Sequence, residues 1–138
     1  MKRLVLILLL AACGDDPSLG RVEAEVRVDP RLMLSDVKSV DVYLFAGHTA
    51  SGGRLDCATL GGGSPATRID VVHRAHLLGP PTDMHLPGLT PESQLVLAVD
   101  GYPTGDGTGM RNAYGCTDGI AIMAGKTTPV TVVLAAVP

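Results

Sequence analysis

Arg21-Val22-Glu23-Ala24-Glu25-Val26-Arg27-Val28 alternates charged and apolar residues without a break. Successive side chains of an extended chain point to opposite faces, so Val22, Ala24, Val26 and Val28 fall on one side and the charges on the other. That is the pattern of a half-buried β-strand. Asp29-Pro30 ends it, because proline has no N–H to give a ladder.

The same reading extends towards the C-terminus. Residues 37–46 form a second strand, with Val40, Val42, Leu44 and Ala46 on one face, Asp41, Tyr43 and Phe45 on the other, and Gly47 closing it. Residues 47–66 are a long glycine- and serine-rich connection, within which residues 56–60 read as a short helical turn or irregular piece. Residues 67–75 alternate Ile69, Val71, His73 and Ala75 against Arg68, Asp70, Val72 and Arg74, a third strand. After the break at Gly79-Pro80-Pro81, residues 83–86 make a short strand that stops at Pro87-Gly88. Residues 94–102 are apolar on both sides over their first half, which marks a central strand. A loop with Gly101, Gly105, Gly107 and Gly109 then leads past Cys116 to residues 120–123 and 128–134, a hairpin turning at Gly125-Lys126. No window carries a capped 3.6-residue period, so no long helix is expected. About seven short strands between glycine and proline breaks imply one all-β, antiparallel β-sandwich.

Composition agrees. The chain has 138 residues, the size of one domain, and 46% hydrophobic against 18% charged residues is too apolar for a disordered tail. The net charge is −3; without Lys2 and Arg3, Lys plus Arg falls from 11 to 9 against 14 acidic residues, leaving −5. Tyr43, Phe45, Tyr102 and Tyr114 are the only aromatics. Nucleic-acid binding, which needs a basic face and stacking platforms, is excluded as a reading.

The first sixteen residues carry an address. Lys2 and Arg3 precede an apolar run from Leu4 through Ala12, the layout of a signal peptide. Its nine residues would reach about 14 Å as a helix, where crossing a bilayer takes roughly 20 residues. Leu10-Ala11-Ala12-Cys13 resembles the lipobox of bacterial lipoproteins, and Gly14-Asp15-Asp16 resembles their polar spacer. The bland alternative is an ordinary secretory leader with a cysteine near its cut site. The resemblance implies cleavage before Cys13, diacylglycerol on its thiol, and two or three acyl chains on the mature protein, enough for stable anchoring. It also divides the chain into a signal peptide at 1–12, a flexible tether at 13–20 and the sandwich at 21–138. Gly14 stands where, by the enteric sorting rule, aspartate would retain a lipoprotein in the inner membrane; the cell envelope is the expected location, with the outer membrane favoured.

Residues 84–134 resemble, loosely, the carboxyl half of prealbumin-like or immunoglobulin-like sandwich domains of bacterial surface lipoproteins. The resemblance rests on the Leu86-Pro87-Gly88-Leu89 turn, the strong apolar strand, the glycine-rich loop, Cys116, and the closing hairpin Gly125-Lys126-Thr127-Thr128-Pro129-Val130-Thr131-Val132-Val133-Leu134. Two strands follow the central one where the fibronectin-type order would have one, and Leu95 stands where that fold has its corner tyrosine, so the prealbumin-like order is preferred.

Catalytic chemistry is sparse. Gly62-Gly63-Ser64-Pro65-Ala66 brushes the nucleophile-elbow pattern, but that motif needs a strand before the serine and a helix after it. His73, His76 and His85 could suggest zinc, yet a three-residue spacing in a strand puts His73 and His76 on opposite faces. Asp100, Asp106 and Asp118 lie in or beside the glycine-rich loop and could offer oxygens to calcium, without the acidic spacing of an EF-hand. The alternative use of that loop is as a recognition edge with Tyr102, Arg111 and Tyr114.

Three cysteines are an odd count in an exported chain, and lipidation of Cys13 would leave an even pair. Export to an oxidising compartment predicts a Cys57–Cys116 disulfide, against the alternative of two free buried thiols. The functional expectation is a non-catalytic, lipid-anchored envelope lipoprotein acting as an interaction or structural module. It would hold the membrane through Cys13, meet a protein or glycan partner in the envelope, and use no cofactor or metal. The alternative is a calcium- or glycan-binding sandwich at the cell surface.

Overall fold

A computed structural model of the chain describes residues 16–49, 51–62 and 71–137. Alternation becomes seven strands: β1 (Gly20–Val28), β2 (Ser39–Phe45), β3 (Val71–Leu78), β4 (Asp83–Leu89), β5 (Glu92–Tyr102), β6 (Ala113–Ile122) and β7 (Thr127–Ala136). The one-turn helix α1 (Cys57–Leu60) sits in the connection after β2, and a 3-10 turn, Leu34–Asp36, precedes β2. The strands join in the order β3-β2-β5-β6-β7-β1-β4, a single sheet curled into a sandwich-like, all-β fold.

The curl has a local cause. β6 and β7 are ten residues each, yet only Ala113 with Ala136 and Tyr114 with Ala135 are in ladder register. Further along, threonine hydroxyls stand in for ladder bonds: Thr117 Oγ1 donates to the Thr131 carbonyl at 2.6 Å and Thr128 Oγ1 to the Ala121 carbonyl at 2.8 Å. A side chain at Gly115 would meet the Val133 carbonyl at 2.6 Å, so glycine is what lets the two strands cross this closely. Around this corner β3-β2-β5-β6 folds over β7-β1-β4, and the main core fills the space between. Val22 and Ala24 of β1, Met84 and Leu86 of β4 and Val132 and Leu134 of β7 meet Val40, Val42 and Leu44 of β2 and Leu95, Leu97 and Val99 of β5.

One pair departs from the antiparallel expectation. β1 runs parallel to β7 over its whole length, from Arg21 opposite Thr127 to Val28 opposite Leu134. In the immunoglobulin constant-type order, the first, second, fifth and fourth strands share a sheet. Here β1 lies between β7 and β4, and β2 between β3 and β5, so the order differs from that one.

Several boundaries move. The third strand runs from Val71 to Leu78 and so passes Ala75; residues 67–70 lie outside the described residues. β4 continues through Pro87 and Gly88, because an edge strand tolerates a residue without an N–H. β6 begins at Ala113, well before residue 120, and Cys116 lies inside it. Gly119, at φ 68°, sits in a β-bulge within it, where Asp118 and Gly119 together face Val96. Residues 16–19, expected as tether, form a turn against the β6–β7 hairpin, with Gly125 N–H donating to the Leu19 carbonyl at 2.8 Å.

Candidate functional site

β2 and β5 are buried on both faces, which the alternation of β2 did not announce. The second face is covered by the β2–β3 connection. Asp56 caps α1 by accepting from Thr59 N at 2.7 Å, while Thr59 Oγ1 accepts from Asp56 N at 2.8 Å. Leu55, Cys57 and Leu60 then pack on Tyr43, Phe45, Val96 and Ala98, a second small core. Cys57 and Cys116 stand with Cα atoms 5.8 Å apart and sulfurs 2.08 Å apart, within disulfide geometry. Asp118 Oδ2 accepts from Cys57 N at 2.9 Å.

Beside this cover the outer face carries charge. Register places His76, Asp41, Asp100 and Tyr114 in one row across β3, β2, β5 and β6. Two like charges opposite each other on adjacent strands are destabilising unless each is neutralised. Arg111 Nη1 lies 2.7 Å from Asp100 Oδ1, and the Asp100 side chain is fully buried. Arg111 also donates to the Gly62 carbonyl and stacks over Tyr114, 4.8 Å from the ring centre. Asp41 Oδ1 faces His76 Nδ1 at 2.7 Å, its Oδ2 accepts from the Tyr43 hydroxyl at 3.4 Å, and Arg74 Nη2 stands 3.8 Å away. Burial, and then the Asp41 charge, push the Tyr43 hydroxyl up to about 12; burial also raises Tyr102 and Tyr114. The three phenols therefore stay protonated at neutral pH, and the geometry of the row supplies cross-strand fastening.

The two ends of the sandwich differ. At one end lie the start of β1, the β6–β7 turn and the beginning of the β2–β3 connection; Arg21 N–H donates to the Lys126 carbonyl there at 3.0 Å. At the other, loops 29–38, 79–82 and 103–112 converge. Asn112 Nδ2 donates to the Asp36 carbonyl at 2.6 Å, Gly79 N to Lys38 O at 2.7 Å, and Val137 N to Asn112 O at 3.0 Å. Met33, Leu34, Leu78 and Met110 all belong to this far end, each more than half exposed.

The residues singled out from sequence fare unevenly. Cys13 and Ser64 lie outside the described residues. β3 continues past His76, so His73 and His76 do alternate in exposure, and His85 sits on β4, beside Asp83 at 3.1 Å and Glu23 at 3.4 Å. Asp100, Asp106 and Asp118 are not brought together: the first pairs with Arg111, the second accepts from Thr108 N at 3.1 Å, the third holds Cys57. Among the described residues no three potential ligands gather to hold a metal. Arg111 and Tyr114, read as a recognition edge with Tyr102, turn inward onto Asp100 and each other; Met110 is the large apolar residue their loop exposes. A cleft of about 390 Å³ beside α1 is lined by Arg54, Asp56, Gln94 and Asp118, and Arg54 is already paired with Asp56 at 2.9 Å. Sequence reasoning missed Asp41. Its signal was a carboxylate sharing a strand face with Tyr43 and Phe45.

No protein-family model and no curated protein matches the chain. Among solved structures it is similar to an alternative pilotin from the type II secretion system of Vibrio cholerae, with a TM-score of 0.54 at 13% identity, covering 87% of this chain and 98% of that one. It is also matched to a minor pilin of the Gram-positive pathogen Streptococcus agalactiae, with a TM-score of 0.41 at 18% identity, over 88% of this chain and 46% of that one. At such identities the pilotin likeness speaks to the fold.

Proposed function

We propose that the chain is a lipid-anchored, non-catalytic lipoprotein of the bacterial envelope, in the outer membrane, whose sandwich presents its far loop end to a protein partner. The observation that carries the reading is the separation of the two ends. The chain enters the fold at Gly20, beside the β6–β7 turn, while the exposed Met33, Leu34, Leu78 and Met110 all lie in or beside the loops at the end where β1 finishes. The nine residues of β1 put about 30 Å between those ends at about 3.3 Å per residue. Acyl chains on Cys13 would hold the first end at the membrane, so the exposed apolar side chains would meet a partner protein and not the anchoring bilayer. The fold shared with a secretion-system pilotin is in keeping with an envelope partner. In this reading Cys57 and Cys116 are oxidised after export, stapling the cover over the second core.

Two measurements test it. Cys13→Ser should stay uncleaved or become soluble and lose labelling by a fatty-acid probe; continued labelling refutes the anchor. A photocrosslinking side chain at position 110 of the full-length lipoprotein in cells should yield one discrete adduct that Leu78→Asp abolishes, with none from position 123 near the tether. Equal adducts from both positions would overturn the far-end assignment.

A further inference from the structure

His76 lies on β3 at the rim of the outer face, its side chain 40% exposed and open to proton exchange. Its Nδ1 is 2.7 Å from Asp41 Oδ1 and its Nε2 is 2.9 Å from the Gly105 carbonyl oxygen. A carboxylate and a carbonyl only accept, so both ring nitrogens must donate. Neutral imidazole carries one N–H and imidazolium two. We propose that His76 is a proton-operated latch: its imidazolium fastens the 103–112 loop to the sheet, and loss of one proton lets that loop go.

The surroundings of the ring support the assignment. From β2 come the Asp41 carboxylate and the Tyr43 hydroxyl, which itself leans on Asp41; from β3, Arg74 stands on the far side of Asp41. From the loop come the Gly105 carbonyl and the Asp106 carboxylate, and Gly107 lies against the ring edge. Behind Asp41, on β5, Asp100 is neutralised by Arg111, while Tyr102 is protonated. The charges nearest the ring are thus anionic, and they raise its pKa above the usual 6.5, with the Asp41 hydrogen bond the largest cause and the Gly105 carbonyl next. The closed state is complete below about 6.5, and it opens as pH rises through the higher folded-state value.

The loop so held carries Met110, one of the four apolar side chains of the far end, and is fixed elsewhere by the Ser39 hydroxyl, which donates to the Thr104 carbonyl at 2.6 Å, and at its base by Asn112 and Arg111. Release at Gly105 would free the tip from Gly105 to Met110 and leave both of these fastenings in place. On the reading that this end meets a partner, the latch sets the shape of the surface offered, although the latch itself requires no partner.

Hydrogen exchange on the full-length lipoprotein in detergent, corrected for the intrinsic pH dependence of exchange, tests the latch without any partner. Protection of peptides spanning 103–112 should fall at least several-fold between pH 6 and pH 9, with β1 and β7 unchanged. In His76→Gln, which keeps a donor but cannot be charged, the loop should be weakly protected and flat with pH. In Asp41→Asn the midpoint should move down towards 6.5. Wild-type protection that does not change with pH, a pH response that survives in His76→Gln, or an unmoved midpoint in Asp41→Asn overturns the proposal. Crosslinking from position 110 is read separately, so either idea can fail while the other stands.

Discussion

Asp41 and Asp100 face each other across β2 and β5, the same residue type in the same row, and the fold treats them differently. Asp100 is fully buried against a guanidinium that keeps its charge at any accessible pH, and its side of the row borders the strand that carries Cys116. Asp41 sits one strand nearer the edge, against an imidazole that is partly exposed and titrates. One pair is a permanent fastening and the other a conditional one. What separates them is the chemistry of the partner and the thickness of the cover, since the carboxylates themselves are alike.

The sharpest way to break the contrast is to remove the permanent cation. Arg111→Ala removes the cation 2.7 Å from the buried Asp100 carboxylate, which should cost about 3 to 5 kcal/mol in chemical denaturation. Arg111→Lys should recover part of it, since it restores charge without the planar fork. A cost below about 1 kcal/mol for the alanine variant would mean that Asp100 finds water or another cation.

Next in size is the staple beside Asp100. Closing a loop of 59 residues should stabilise the fold by about 4 kcal/mol in the chain-entropy model. Cys57→Ser and Cys116→Ser should lower Tm about equally, and the double variant should be no worse than either. Mass spectrometry of the non-reduced, exported protein checks the bond directly: alkylation of both thiols without reductant would refute it.

Asp41→Asn addresses the conditional side and should cost less, about 1.5 to 3 kcal/mol for the loss of a charged hydrogen-bond acceptor. Its signature is in the pH profile. His76 has a raised folded-state pKa, so its contribution is complete below about 6.5 and is lost as pH rises through the higher folded value. Wild-type stability should therefore decline over that window, and Asp41→Asn should flatten the decline. An unchanged slope would detach His76 from Asp41. The smallest expected effect is that of calcium. A site filled to 100 times its Kd would add about 2.7 kcal/mol, but Asp100, Asp106 and Asp118 are separately engaged, so Tm should not move.

Much of the architecture was legible because it is local. The alternation at residues 21–28, the doubly apolar run at 94–102 and the turn at 125–126 are period-two signals and breaks that a chain carries within a few residues. The same holds for the helical turn that Asp56 caps. β6 was under-read for a local reason as well: Gly115 and Gly119 look like loop residues until the close crossing and the bulge are seen. The site was much less legible. Nothing within ten residues of Asp41 says that it will lie opposite Asp100, or that β1 will run parallel to β7. Nor does it say that Leu55, Cys57 and Leu60 will bury the second face of β2 and β5, or that loop 103–112 will reach back to His76. Sequence by itself determined where this chain is extended and where it turns. Tertiary structure alone decided which strands are neighbours and which polar groups meet, because register and burial are set by segments far apart in the chain, whereas strand alternation is set by the residues next door.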